Sequence, residues 1–292
     1  MQARSLLVMA LVAGCSSGWR EETLPPDKPL PIPAAPPPAP VQPPPAPVAS
    51  AAPSAPAPAP VAAKPKPPEP TDTIDTTAGP VRITPIQHAT VVFEFNGKII
   101  VVDPWSKAPE GWLPKADLVL ITDIHPDHYD PPGIDAVKKE GTIFVAPKVV
   151  GEKLPGAKVM NNGQERTEIG VSIRAVPMYN LKRGPEAKKL YHDKGRGNGY
   201  VLGFGDKRVY LSGDTECIPE MKALKKIDVA FVCMNLPYTM PPEEAAECVK
   251  AFKPKVVIPY HYRDSDLGVF KKTLGDTPGI ELRTREFYAA PK

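Results

Sequence analysis

Apolar positions from Val91 onward fall into short runs separated by turn residues, and their spacing predicts alternating strands and helices. Val91-Val92-Phe93-Glu94-Phe95 and Lys98-Ile99-Ile100-Val101-Val102 flank Asn96-Gly97, a strong two-residue hairpin signal. A strand is expected over 118–122, a helix near 132–140, a strand over 142–145, a helix near 147–153 and a long extended run over 168–179. A second hairpin pairs 200–204 with 208–211 about Gly205-Asp206. Helices near 218–225, 242–252 and 266–274 then alternate with strands over 228–235, 255–260 and 280–287. Taken from the residues alone, this is a mixed α/β domain, and the ~210 residues from Val81 onward suffice for one large core.

The strand at Leu118-Val119-Leu120-Ile121 stops abruptly at Asp123, His125, Asp127 and His128. A loop at a strand end can aim several side chains at one point, and imidazole with carboxylate is the donor set of hydrolytic metal sites. Capping the next helix would need one Asp and not this cluster. The chain has only 5 histidines, and His125, His128 and His261 each follow an apolar run. Asp214 ends a further such run in Val209-Tyr210-Leu211-Ser212-Gly213-Asp214.

A loop carrying His-x-Asp-His, a later Gly-Asp-Thr and a last apolar strand ending in Tyr260-His261 together resemble the metallo-β-lactamase-fold hydrolases. Over roughly residues 80–288 the chain looks most like the branch of the ascorbate-phosphate lactonases and the N-acyl-phosphatidylethanolamine phospholipases D. The resemblance implies an αββα sandwich: two packed mixed sheets flanked by helices. It implies one metal site from Asp127, His128 and His261, with Asp214 as bridge. Where the family's other site takes three histidines, this chain has Asp123, His125 and Asn180. Zinc is the first expectation, as one ion or two, and the oxygen-richer first site suits Mn or Fe as well. His192 either replaces the missing third imidazole, or contacts substrate, or is a surface residue of a glycine-rich loop. His88 is expected beside the site as a hydrogen-bonded residue, and Tyr238 as a pocket wall. The implied chemistry is attack by metal-activated hydroxide on a carbonyl or phosphoryl centre, with Asp127 and His192 as the catalytic candidates and Asp214 or solvent protonating the leaving group.

Composition then divides the chain. About half of its 41 prolines lie between Pro25 and Pro70, interleaved with Ala and Val. Such a segment cannot bury enough surface to offset its ordering entropy, so 25–77 is expected to be a disordered spacer, reaching on the order of 140 Å if extended at ~3.1 Å per residue. Ahead of it, 1–14 fits a secretory signal, and Leu11-Val12-Ala13-Gly14-Cys15 resembles the bacterial lipobox, which makes Cys15 a lipid anchor opening a segment 15–24. The folded domain is expected over 78–292. Ser16 after that Cys points to the outer membrane, facing the periplasm. Cys217, Cys233 and Cys248 are odd in number and lack paired spacing, so all three are expected to pack as core residues, with Cys217 near the metal as the alternative. A net charge of +3 gives no footprint for nucleic acid. Six Lys and Arg residues between Met178 and Gly199 suggest an anionic, small-molecule or lipid-like substrate. The resulting expectation is a membrane-tethered metal-dependent hydrolase of an ester, lactone or phosphodiester. The alternative is a catalytically degenerate binding or structural lipoprotein of the envelope.

Overall fold

The computed structural model describes residues 68–288. The expected signal peptide, Cys15 with the segment after it, and the spacer up to residue 67 lie outside the described residues.

Both sheets are laid down in sequence order. The first contains β1 (Asp72–Ile74), β2 (Val81–Gln87), β3 (Thr90–Phe95), β4 (Lys98–Val102), β5 (Leu118–Leu120), β6 (Ile143–Ala146) and β7 (Lys158–Val159). The second contains β8 (Glu165–Glu168), β9 (Val171–Met178), β10 (Gly197–Phe204), β11 (Lys207–Leu211), β12 (Val229–Cys233), β13 (Val256–Tyr260) and β14 (Glu281–Leu282). Each begins as an antiparallel meander, through β4 and through β11, and ends in parallel strands. Parallel neighbours need crossovers; the helix-free loop 103–117 joins β4 to β5, and the others contain α1 (Pro131–Val137), α2 (Lys148–Gly151), α3 (Pro219–Lys222), α4 (Pro242–Phe252) and α5 (Leu267–Leu274).

Successive strand residues point to opposite faces, and here both faces are covered. Ile100, Val102, Leu118 and Leu120 join Phe93, Phe204, Phe231 and Tyr260 in the large cluster between the sheets. Val101, Val119 and Ile121 turn outward to Ile134 and Val137 of α1 in a smaller cluster. That double burial is why these strands read as unbroken apolar runs. Phe93 lies at the seam, with ring centroids 5.8 Å from Phe204 and 6.1 Å from Phe231.

The Asn96-Gly97 hairpin forms in the expected register, with Phe95 opposite Lys98. Four expectations need correction. The long run over 168–179 breaks at Ile169-Gly170, where both residues have positive φ (47° and 85°) and turn β8 back on β9. The strand expected over 280–287 is only Glu281–Leu282, and the residues after it leave the sheet for side-chain contacts with Asp72 and His88. Order also begins before the expected boundary at residue 78, because β1 pairs with β2 inside what was read as spacer. Cys217 and Cys248, expected as packing cysteines, form a disulfide with Cα atoms 5.5 Å apart, which ties the loop after Asp214 to α4. Cys233 alone is the free, buried cysteine among the described residues.

The topology explains where the chemistry gathers. β4 and β5 run parallel in one sheet, and β11, β12 and β13 run parallel in the other. Their carboxyl ends carry Asp103, the loop Thr122–His128, Asp214, Asn235 and His261, and the contacts below bring these residues together on one rim.

Candidate metal centre

Two of these residues, Asp103 (φ 44°) and His261 (φ 48°), leave their strands in the left-handed region, as does His88 (φ 57°) after β2. Non-glycine residues rarely adopt that conformation, and such strain concentrates at functional sites. Gly213, just before Asp214, has φ 59°, which glycine adopts without strain, and a Cβ there would press on Met178 Sδ at 2.6 Å.

His128 and His261 face each other with Nε2 atoms 3.2 Å apart, both fully buried. Asp214 stands between the groups. Its Oδ1 is 3.3 Å from His261 Nε2, and its Oδ2 is 3.4 Å from His128 Nε2 and 3.3 Å from His192 Nε2. Asp127 Oδ2 lies 3.4 Å from His261 Nε2 and accepts a hydrogen bond from His88 Nε2 at 3.0 Å. On the other side, Asp123 Oδ2 is 3.0 Å from His125 Nδ1 and 3.9 Å from His192 Nε2. Three groups therefore bring ligand atoms close enough to share an ion: His128, Asp214 and His261; His88, Asp127 and His261; and Asp123, His125 and His192.

The charge states follow from these neighbours. Burial opposes ionisation of Asp214, Asp127 and Asp123, but the surrounding imidazoles, with Arg196 beside Asp123, hold all three well below the usual carboxylate range. Burial and the charge of His261 push His88 down to about 4, leaving it neutral at pH 7, so Nε2 donates to Asp127 while Nδ1 accepts from Tyr288 Oη at 2.6 Å. Burial works against protonation of His128, yet Asp214, Asp103 and Asp127 raise its pKa well above the usual value. Three carboxylates crowding one buried imidazole is the electrostatics of a site built to hold positive charge. The donor set fits a divalent cation: His192 Nε2 and Asp214 Oδ1 are buried without a hydrogen-bond partner and aim at this cluster.

The structure brings Asp123, His125, Asp127, His128, Asp214 and His261 into one cluster and adds His192, which is buried rather than a surface loop residue. Asn180 was expected at the position of a third histidine, but its Oδ1 instead accepts from His192 Nδ1 at 2.7 Å. Tyr238 lines the adjoining cavity of about 480 Å3, edge-on to Tyr191 with ring centroids 5.0 Å apart. Asp103 was missed. Its Oδ2 accepts from His128 Nδ1 at 2.8 Å and from Thr122 Oγ1 at 2.6 Å, which fixes the imidazole with Nε2 toward the cluster. The signal was present in Ile99-Ile100-Val101-Val102-Asp103, another apolar run ending in an acid. Arg196 was noted only as loop charge, and its pairing with Asp123 has no local sequence signal.

Two mixed sheets with an acidic, histidine-rich cluster on their common rim define a metallohydrolase sandwich. Residues 82–261 match the beta-lactamase superfamily domain. A UPF0173 metal-dependent hydrolase of Thermodesulfovibrio yellowstonii is 32% identical over 212 residues, covering 63% of this chain and 79% of the relative. A crystal structure described as a metal-dependent hydrolase from Parabacteroides distasonis is 43% identical with a TM-score of 0.70, covering 74% of this chain and 98% of that one. Igni18, a metallo hydrolase of Ignicoccus hospitalis, is 25% identical with a TM-score of 0.58, covering 70% of this chain and 95% of that one. The chain belongs to the beta-lactamase superfamily, as a metal-dependent hydrolase of the UPF0173 family.

Proposed function

We propose that this hydrolase is held to a membrane through Cys15 and cleaves a small anionic ester, lactone or phosphodiester, with Asp127, His128, Asp214 and His261 as the main ligands of a zinc-type ion. The observation that carries the reading is the position of Asp214, whose two oxygens reach three imidazoles from three separate loops. A divalent cation bound there would supply a water of pKa lowered toward ~7 and a Lewis acid for the scissile group.

The chain's own residues supply the rest. Asp127 lines the cavity as an ionised carboxylate, able only to accept, and His88 holds its Oδ2. It therefore accepts a hydrogen bond from a water and fixes the angle from which that water attacks. Asp103 on His128 and Asn180 on His192 hold both rings with Nε2 inward. Trp105, Tyr191 and Tyr238 wall the cavity beside the reacting bond.

The substrate class follows from which cations are spent. Of the six basic residues between Met178 and Gly199, five pair with carboxylates: Lys182 and Arg183 with Glu244, Lys189 with Glu186, Lys194 with Glu220 and Arg196 with Asp123. That loop is therefore a poor source of anion recognition. Lys107 and Arg263 line the cavity from other loops and make no ion pair among the described residues, so they are free to meet a substrate carboxylate or phosphate. Asn235, 1% exposed on the same wall with Oδ1 unpartnered, supplies a hydrogen bond to the substrate. The Cys217–Cys248 disulfide supports export, since such bonds persist in oxidising compartments.

Protein purified without chelator should carry metal that Asp127→Ala/His128→Ala loses, and unchanged metal content would remove the proposed site. Among p-nitrophenyl esters, Arg263→Ala should raise KM for those with an acyl carboxylate and leave neutral ones alone. Cys15→Ala should move the protein from the membrane pellet to the soluble fraction.

A further inference from the structure

The two halves of the cluster differ in charge. Asp127 and Asp214 bring two negative charges to the imidazoles of His128 and His261. The group of Asp123, His125 and His192 brings one, and that one is answered. Arg196 Nη2 donates to Asp123 Oδ2 at 2.7 Å and Arg196 Nε donates to Asp123 Oδ1 at 3.1 Å, a two-pronged pair that engages both carboxylate oxygens. The same Nη2 lies 3.4 Å from the ring nitrogens of His125. A guanidinium thus stands against two of the three side chains that could hold an ion there.

Arg196 is not free to swing away. It immediately precedes β10, whose Asn198 N–H donates to Thr122 O at 2.9 Å, one residue before Asp123 in the chain. Gly197 lies so close to that loop that a Cβ on it would meet Thr122 O at 2.9 Å, so the root of the arginine is pressed against the loop carrying its partner. The Asp123 side chain is fully buried and that of Arg196 is 21% exposed.

We propose that Arg196 is a resident counter-ion that keeps Asp123, His125 and His192 from binding a second divalent metal tightly, so that the chain works with one tightly held ion. This rests on the metal-centre reading above and goes beyond it, because it assigns the stoichiometry and names the residue that sets it. A dication entering beside Asp123 would meet the arginine charge at close range and would have to take carboxylate oxygens already engaged. Neutralising the arginine returns a bare buried carboxylate beside two imidazoles, the composition of a competent site.

The test strips the full chain with chelator and titrates it with Zn2+ and with Mn2+ by calorimetry and elemental analysis. Wild type should take up one tight equivalent. In Arg196→Ala the second equivalent should bind at least tenfold more tightly than in wild type, ~1.4 kcal/mol or more. Arg196→Lys keeps the charge and should stay at one tight equivalent. Should Arg196→Ala not fold, the Mn2+ resonance spectrum of wild type decides: an isolated-ion pattern supports the proposal and a spin-coupled pair overturns it. Two equivalents of comparable affinity in wild type, or an unchanged second equivalent in a folded Arg196→Ala, also overturn it. The hydrolase reading fails by a different signature, which is no tight equivalent in wild type at all.

Discussion

Asn180 Oδ1 accepts two hydrogen bonds from His192, from the backbone N–H at 2.8 Å and from the ring Nδ1 at 2.7 Å. Its own Nδ2 donates to Tyr238 O at 2.8 Å and to Glu216 Oε1 at 3.2 Å, which fixes which end of the amide faces the histidine. One side chain therefore delivers a loop imidazole to the cluster and joins it to the cavity wall.

Asn180→Ala should leave the tight metal equivalent in place and cut turnover by ~10–100-fold, the usual effect of losing a residue that orients a site imidazole. His192 would lose the acceptor that fixes its tautomer. Its ring proton resonance should exchange faster with water in the variant, and an unchanged resonance with unchanged turnover would show that the loop alone places the ring.

Asp103→Ala should act on the metal directly. Asp103 accepts from His128 Nδ1 and from both the amide and the hydroxyl of Thr122, so its loss frees the histidine and strands a buried backbone donor. Affinity for the tight equivalent should fall ~10–100-fold, and stability by ~1–3 kcal/mol for the unsatisfied group. Metal titration and thermal melting separate the two effects.

These two residues mark how far the sequence could be read. Strand-end acids and histidines were legible because an apolar run that stops at Asp or His is a local pattern, and it located Asp123, His125, Asp127, His128, Asp214 and His261. Asn180, Asp103 and Arg196 act through contacts 12, 25 and 73 residues away in sequence, so their partners exist only once the strands are paired. The hairpins at Asn96-Gly97 and Gly205-Asp206 were legible because the turn residues dictate register. Strands β1 and β7 were not, and β14 was read too long, since edge strands of two or three residues bury too little to leave a periodic signature. The disulfide escaped because spacing says nothing about which cysteines of a large α/β domain meet.

The Cys217–Cys248 bridge closes a loop of sequence separation 31, which by loop-closure entropy is worth ~3–4 kcal/mol. For a domain of this size each kcal/mol shifts Tm by ~2–4 °C. Reductant, or the Cys217→Ala/Cys248→Ala pair, should therefore lower the melting temperature by roughly 10 °C. Because Cys217 lies three residues beyond Asp214, metal retention should also become more sensitive to heat. A melting curve indifferent to reductant would show that the bond is not formed in solution.

Asp72 supplies the pH dependence outside the metal centre. It lies on β1 at the edge of the first sheet, and its carboxylate accepts from Arg283 Nη1 at 3.0 Å and from Arg285 Nε and Nη2, each at 2.7 Å, on the segment following β14. That segment continues to Tyr288, whose hydroxyl meets His88, so the pair braces the site from behind. Burial raises the pKa of Asp72, but Arg285, Thr71 and Arg283 outweigh it and hold the group below its ordinary value of 3.8. A depressed folded-state pKa means that the unfolded chain takes up the proton first as pH falls. The stabilisation is thus fully present above the ordinary carboxylate value and is lost as pH drops through it toward the folded one. With the arginines 28% and 25% exposed, Asp72→Asn should cost about 2 kcal/mol at pH 7, below the ~3–5 kcal/mol of a fully buried pair. The gap between wild type and variant should stay constant from pH 7 to about pH 5 and close below about pH 4. Urea unfolding at each pH measures it, and a gap that widens on acidification would mean that Asp72 is not ionised in the folded protein.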